Sequence, residues 1–313
     1  MDVNFIIFIV SLGVLIWGSD LLIDQSEKIA LRFGISEYVI GATLVAVGTS
    51  LPEMAASITA SINHKPEIAV ANVIGSNIFN ITLVLATVFI VAKNVNPHRD
   101  FFAKDSSWAL FPVLIFILMI LDGSFSRFDG FLLMILMFAY VLFLLRAGRE
   151  IILDEDEERE EDTPFSWTKV GLLTIVGFVL VIVGADYTIE SASAIARGFG
   201  VSDWIIGIIM ISLGTSMPEL MVSITAALKG KADMAIGAII GSNMANTTMV
   251  LGSAALVNQI DIDPMKYMFD ISTMLVATLM LVFLSANKLY TKPAGISLLI
   301  VLALFLQNTI GVL

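Results

Sequence analysis

The sequence predicts an all-α membrane protein of ten transmembrane helices, built as two inverted five-helix repeats. Three observations carry this. The chain is 58% hydrophobic and only 14% charged, with a mean hydropathy of +0.93, whereas soluble domains are about 45–50% apolar and about 25% charged. Its apolar stretches approach the ~20 residues that a helix needs to cross the hydrocarbon core. A single offset of 166 residues lays the second half of the sequence on the first without a gap.

In order, the expected spans are 3–24, 38–63, 67–92, 107–122, 128–147, 166–189, 203–228, 232–258, 267–287 and 294–312. The first, MDVNFIIFIVSLGVLIWG, lacks a basic segment and a small-residue cleavage site, so it reads as a retained helix and not a signal peptide. The fourth is short. The seventh and eighth carry polar residues that a lipid-facing helix would not tolerate. Residues 1–150 form the first repeat, 151–165 an acidic linker and 166–313 the second repeat.

Much of the net charge of −11 sits between Asp154 and Asp162. The segment LDEDEEREEDTP has no apolar periodicity and reads as a solvated linker. The other charges fall at segment ends, which leaves no nucleic-acid footprint. There is no cysteine, hence no disulfide and no thiolate metal site. With the N-terminus outside, only Lys65, Arg127, Arg197 and Lys266 of the 17 Lys and Arg lie in outer loops. Basic residues favour the cytoplasm. Both termini are therefore expected outside and the linker inside.

The repeat is explicit. SEYVIGATLVAVGTSLPE from Ser36 aligns with SDWIIGIIMISLGTSMPE from Ser202, and IGSNIFN from Ile74 with IGSNMAN from Ile240. The same offset carries Gly34 onto Gly200 and Asp20 onto Asp186. The two motifs span 36–80 and 202–246. Five spans per half is an odd number, so the second half enters from the opposite side. Transporters of that design bind substrate near the midplane where the repeats meet, and interrupted helices there offer backbone groups to ions. Pro52 and Pro218 are matched prolines inside matched spans, expected to strip a hydrogen bond from the Gly48 and Gly214 carbonyls.

The side chains around them suit a hard cation. Thr49, Ser50 and Glu53 share a helical face, as do Thr215, Ser216 and Glu219. In the next span of each half, Ser76 and Asn80 are four apart, like Ser242 and Asn246. Ca²⁺ takes six to eight oxygens at about 2.3–2.6 Å, and Na⁺ accepts the same ligands. Borderline metals would call for His or Cys. One carboxylate at the bilayer centre costs at least about 2.5 kcal/mol. One Ca²⁺ or two Na⁺ would neutralise a pair, and that competition is a physical basis for exchange. An empty site would be unfavourable, or would take up protons. Enzyme chemistry has no foothold, because a serine nucleophile needs a neighbouring base and no His lies near Ser50 or Ser216. No cofactor is expected. Asp20 and Asp186 read as satisfied helix-end acids, and His64 and His98 fall in loops without a role.

At GATLVAVGTSLPE with ANVIGSNIFN, and at GIIMISLGTSMPE with GAIIGSNMAN, the chain resembles the sodium/calcium exchanger branch of the calcium/cation antiporter superfamily. The resemblance implies two inverted five-helix halves and four central ion sites. It implies ligands Glu53, Thr49, Ser50, Ser76 and Asn80 from one half, and Glu219, Thr215, Ser216, Ser242 and Asn246 from the other. Backbone carbonyls would come from Ala46 and Ser212. It further implies electrogenic exchange of Na⁺ for Ca²⁺ by a monomer in the lipid bilayer, with the first and sixth helices sliding across the core. Asn246, where K⁺-dependent relatives carry an acid, implies K⁺ independence. GTS in both copies argues against the proton-coupled branch, which is the alternative reading.

Overall fold

The computed structural model describes residues 2–92, 97–152, 165–200 and 212–311. They form helices α1 (Asp2–Phe33), α2 (Glu37–Thr49), α3 (Leu51–Ile62), α4 (Glu67–Val91), α5 (Phe101–Ile120) and α6 (Arg127–Ile152). After the linker come α7 (Trp167–Gly198), α8 (Ser212–Thr215), α9 (Met217–Leu228), α10 (Ala232–Val257), α11 (Met268–Ala286) and α12 (Lys292–Gly311). Two short strands, β1 (Ser124–Phe125) and β2 (Ile260–Asp261), pair antiparallel at one end. Among the described residues, eight helices are long and apolar enough to cross a membrane, or nine with α2 and α3 as one bent span. This is a multi-pass, all-α membrane protein. The seventh expected span is described only from Ser212, and the linker residues 153–164 lie outside the described residues.

Helix ends follow local chemistry. The Ser36, Asp100 and Ser166 side chains each accept a backbone N–H at a helix start, satisfying a donor that has no partner within the helix. Gly34 and Gly200 follow α1 and α7 with φ of 63° and 83°, the left-handed conformation that glycine adopts without penalty. The fourth span is not short. It starts at Phe101, six residues before expectation, because Lys104 and Asp105 interrupt the apolar pattern but not the helix.

The matched prolines also need a correction. Pro52 and Pro218 sit in the first turn of α3 and α9, where the N–H they lack would have no helical partner. The breaks themselves fall at Ser50 (φ −82°, ψ 5°) and Ser216 (φ −88°, ψ 3°). Across Ser50 the chain bends by 43°.

The two-fold relation is visible in the packing. A Cβ on Gly18 would stand 2.9 Å from the Val181 nitrogen, and one on Gly184 would stand 2.8 Å from the Leu15 nitrogen. The offset turns 18 into 184 and 15 into 181, so this is one contact made twice. It locks α1 antiparallel to α7. Glycine likewise brings α2 onto α10: a Cβ on Gly41, Gly237 or Gly241 would lie 2.4, 2.4 or 2.5 Å from the carbonyl oxygens of Met234, Tyr38 and Ala42. Backbone therefore touches backbone at the centre of the molecule.

One departure from symmetry is clear. Helix α1 packs along α9, whereas α7 has no comparable packing on α3, the equivalent partner. At the α1–α9 end, Lys229 pairs with Asp20 at 2.6 Å and Asp24 at 2.5 Å, and Lys231 pairs with Glu37 at 2.8 Å and with Glu27. Partial burial opposes the charge on both lysines, but the carboxylates outweigh it and hold each ammonium above its usual range. Each such half-exposed pair contributes at most about 1 kcal/mol. Asp20 is thus paired, though not at the helix end expected of it, because α1 continues to Phe33.

The loop before α5 is held more firmly. Asp233 accepts the backbone N–H groups of His98 (2.9 Å) and Arg99 (3.1 Å). The Arg99 guanidinium forks onto Asp105 at 2.5 and 2.9 Å, with both side chains almost fully buried, and lies 4.6 Å over the Tyr38 ring. His64 stands at φ 54°, where the second half places Gly230 at φ 79°. A left-handed side chain costs about 1–2 kcal/mol, part of which glycine returns as chain entropy. His64→Gly is expected to stabilise by about 0.5–1 kcal/mol, read as a higher unfolding midpoint in detergent.

Candidate cation site

Two helix breaks and widened helical turns gather the repeated motifs at the centre. The breaks at Ser50 and Ser216 place Glu53 and Glu219 in the first turns of α3 and α9. A π-helical turn begins at Asn80 in α4, and another at Asn246 in α10. Such turns loosen the regular backbone ladder and recur at functional positions. Thr49, Ser50, Ser76, Asn80, Ser216, Ser242 and Asn246 are buried, Thr215 is half-buried, and Glu53 and Glu219 are 1% and 3% exposed.

The contacts cross between halves. Ser50 Oγ donates to Glu219 Oε1 at 3.3 Å. Thr49 Oγ1 lies 3.5 Å from Ser242 Oγ, and both hydroxyls reach the Ala46 carbonyl, at 3.2 and 3.5 Å. Ala46, Thr49, Ser50, Ser242 and Glu219 thus form one continuous patch. Glu53 lies near enough to Glu219 for the two carboxyls to interact electrostatically, and the Thr215 hydroxyl lies beside Glu53 but outside hydrogen-bond geometry. Ser212 opens α8, and its side chain lies outside the described residues.

Many of these oxygens have nothing to bond. Both carboxylate oxygens of Glu53, Glu219 Oε2, Ser76 Oγ, Asn80 Oδ1, Thr215 Oγ1, Ser216 Oγ and Asn246 Oδ1 are buried without a hydrogen-bond partner. Each unmet neutral group costs about 1–3 kcal/mol, and an unpaired buried carboxylate costs several more. Such a set of oxygens suits a cation as its partner. Among the described residues no three His, Cys, Asp or Glu stand together. The charge therefore comes from two carboxylates and the rest from neutral oxygens, a donor set for hard ions and not for zinc or copper.

A second layer of amides lies beyond the residues that the sequence singles out. Asn72 Nδ2 donates to the Glu53 carbonyl at 3.2 Å and to Ser57 Oγ at 3.0 Å, tying the first turn of α3 to α4. Asn77 and Asn243 join the halves through Asn80 and Thr247. Their signal was present, because each lies beside a chosen serine in the repeated motif. Asn72 has no such signal: its counterpart is Ala238.

A family model described as sodium/calcium exchanger protein matches residues 3–146 and 169–310. The chain is 30% identical to the inner membrane protein YrbG of Escherichia coli over 300 residues, covering 94% of this chain and 92% of that one. It is 29% identical to the sodium/calcium exchanger MaX1 of Methanosarcina acetivorans over 344 residues, covering 98% of each. The solved structure of the sodium-calcium exchanger NCX_Mj, soaked with zero Na⁺ and Ca²⁺, superposes with a TM-score of 0.83 at 31% identity, covering 98% of both chains.

Proposed function

The chain belongs to the sodium/calcium exchanger protein family, and we propose that it exchanges Na⁺ for Ca²⁺ by alternating access at the cluster around Glu53 and Glu219. The observation that carries this reading is the set of buried, unpartnered oxygens drawn from both halves. One Ca²⁺ or two Na⁺ balances two carboxylates, so the ions compete for the same oxygens. A further Na⁺ held by the neutral oxygens beside the two that balance the carboxylates carries more Na⁺ charge than Ca²⁺ charge per cycle and makes exchange electrogenic. Thr49, Ser50, Ser76, Asn80, Thr215, Ser216, Ser242 and Asn246, with the Ala46 and Ser212 carbonyls, complete the oxygen shell. Each copy contains both halves of the site, so a monomer suffices. Both termini face outward, and the acidic linker lies in the cytoplasm.

The test is Ca²⁺ uptake into vesicles holding the purified protein. Uptake is expected with an outward Na⁺ gradient, without K⁺, and it should respond to membrane potential. Uptake driven by a pH gradient alone would replace this reading with proton-coupled exchange. Ca²⁺ passage without any counter-ion would mark a channel. Asn246→Asp adds a third carboxylate to the cluster and is expected to shift ion preference toward K⁺ dependence. Unchanged selectivity would remove Asn246 from the shell.

A further inference from the structure

We infer that Asn243 is a positioning residue that fixes which end of the Asn80 amide meets the transported ion; this rests on the cation site proposed above. An amide oxygen attracts a cation and an amide NH₂ repels it, yet the two ends are nearly the same size. Packing cannot tell them apart, and only a hydrogen-bond network can. Asn80 Nδ2 donates to Asn243 Oδ1 at 3.0 Å, and Asn243 Nδ2 donates to the backbone carbonyl of Asn77 at 3.4 Å. A backbone carbonyl only accepts, and it cannot turn round. A reversed Asn243 would set oxygen against that carbonyl. A reversed Asn80 would set oxygen against Asn243 Oδ1. The relay therefore has one polarity, and its free end is Asn80 Oδ1, buried and without a partner.

The second half supplies a control within the same molecule. Under the 166-residue offset, Asn77 corresponds to Asn243 and Asn246 to Asn80. Asn77 Nδ2 instead donates to Thr247 Oγ1 at 2.7 Å. Asn77 Oδ1 and both amide atoms of Asn246 have no partner. The reason lies in the sequence: Thr247 stands where the first half has Ile81, which offers Asn243 no acceptor. The Asn243–Asn80 bond is thus not an automatic product of the repeated motif, and the two ligand amides are not equivalent.

The experiment is Ca²⁺ titration of the purified full chain in detergent, with the unfolding midpoint as a check on folding. Asn243→Ala is expected to weaken Ca²⁺ binding by about 10–100-fold, the range for losing a partner that orients a metal ligand. In an Asn80→Asp background the same change should have no effect, because a carboxylate presents oxygen at either end. Ile81→Thr gives Asn243 the acceptor that Thr247 gives Asn77, draws its amide out of the relay and should weaken Ca²⁺ binding, a readout that stands even where the alanine variant does not fold. Wild-type affinity in Asn243→Ala, an undiminished loss in the Asn80→Asp background, or wild-type affinity in Ile81→Thr each overturns the inference. Wild-type affinity in Asn80→Ala would instead overturn the assignment of Asn80 to the site.

Discussion

Glu53→Gln and Glu219→Gln are each expected to abolish Na⁺-driven Ca²⁺ uptake while leaving a folded, inserted protein. Glutamine keeps the volume and one oxygen, so packing in the first turns of α3 and α9 is preserved. What changes is charge. With both carboxylates present, one Ca²⁺ leaves the buried cluster neutral; with one, it leaves a net positive charge among groups that are 1% and 3% exposed in the native chain. A unit charge pair at ~4 Å and an effective dielectric constant of ~20 is worth about 4 kcal/mol, or about a thousandfold in binding. The expectation has a second readout. Ca²⁺ should raise the unfolding midpoint of the native chain, since a ligand of the folded state stabilises it by mass action. It should not raise that of either variant. Near-normal uptake in Glu53→Gln or Glu219→Gln would falsify the site assignment.

Arg99→Ala is expected to cause the largest loss of stability from a single side chain outside the site. Asp105 is fully buried, and its fork with Arg99 is its compensation. Removing one member of a buried ion pair costs about 3–5 kcal/mol, because the other charge is stranded. Asp105→Ala should cost a similar amount. The double change to Met and Leu should recover much of it, since an apolar pair strands nothing. The unfolding midpoints of the two single variants and the double variant in detergent test this. A strictly additive loss would show that the pair does not act as a unit.

The fold was largely legible because lipid imposes a simple rule, and long apolar runs such as 128–147 and 267–287 obey it with little else to say. The register of the repeats was legible for a different reason: identical residues at Gly48 and Gly214, or Ser76 and Ser242, do not recur in step by chance. Features set by tertiary contact were not legible. Nothing in the spacing of Arg99 and Asp105 announces that the loop folds back to bury them. The π-helical turns at Asn80 and Asn246 have no apolar period to betray them, and the break at Ser50 was misplaced onto its proline neighbour. The cluster's residues could be chosen by chemistry because their hydroxyls, amides and carboxylates recur at the same positions in both halves. Asn77 and Asn243 bond to Thr247 and Asn80 across the two halves, and no spacing within either motif reveals such a contact.

The contact between Gly18 and Val181, repeated as Gly184 with Leu15, is of the kind that two identical subunits make across a dimer axis. Carried in one chain, the two halves need not stay identical for that contact to form. Thr247 opposite Ile81, and Lys229 opposite Asn63, are positions where they differ.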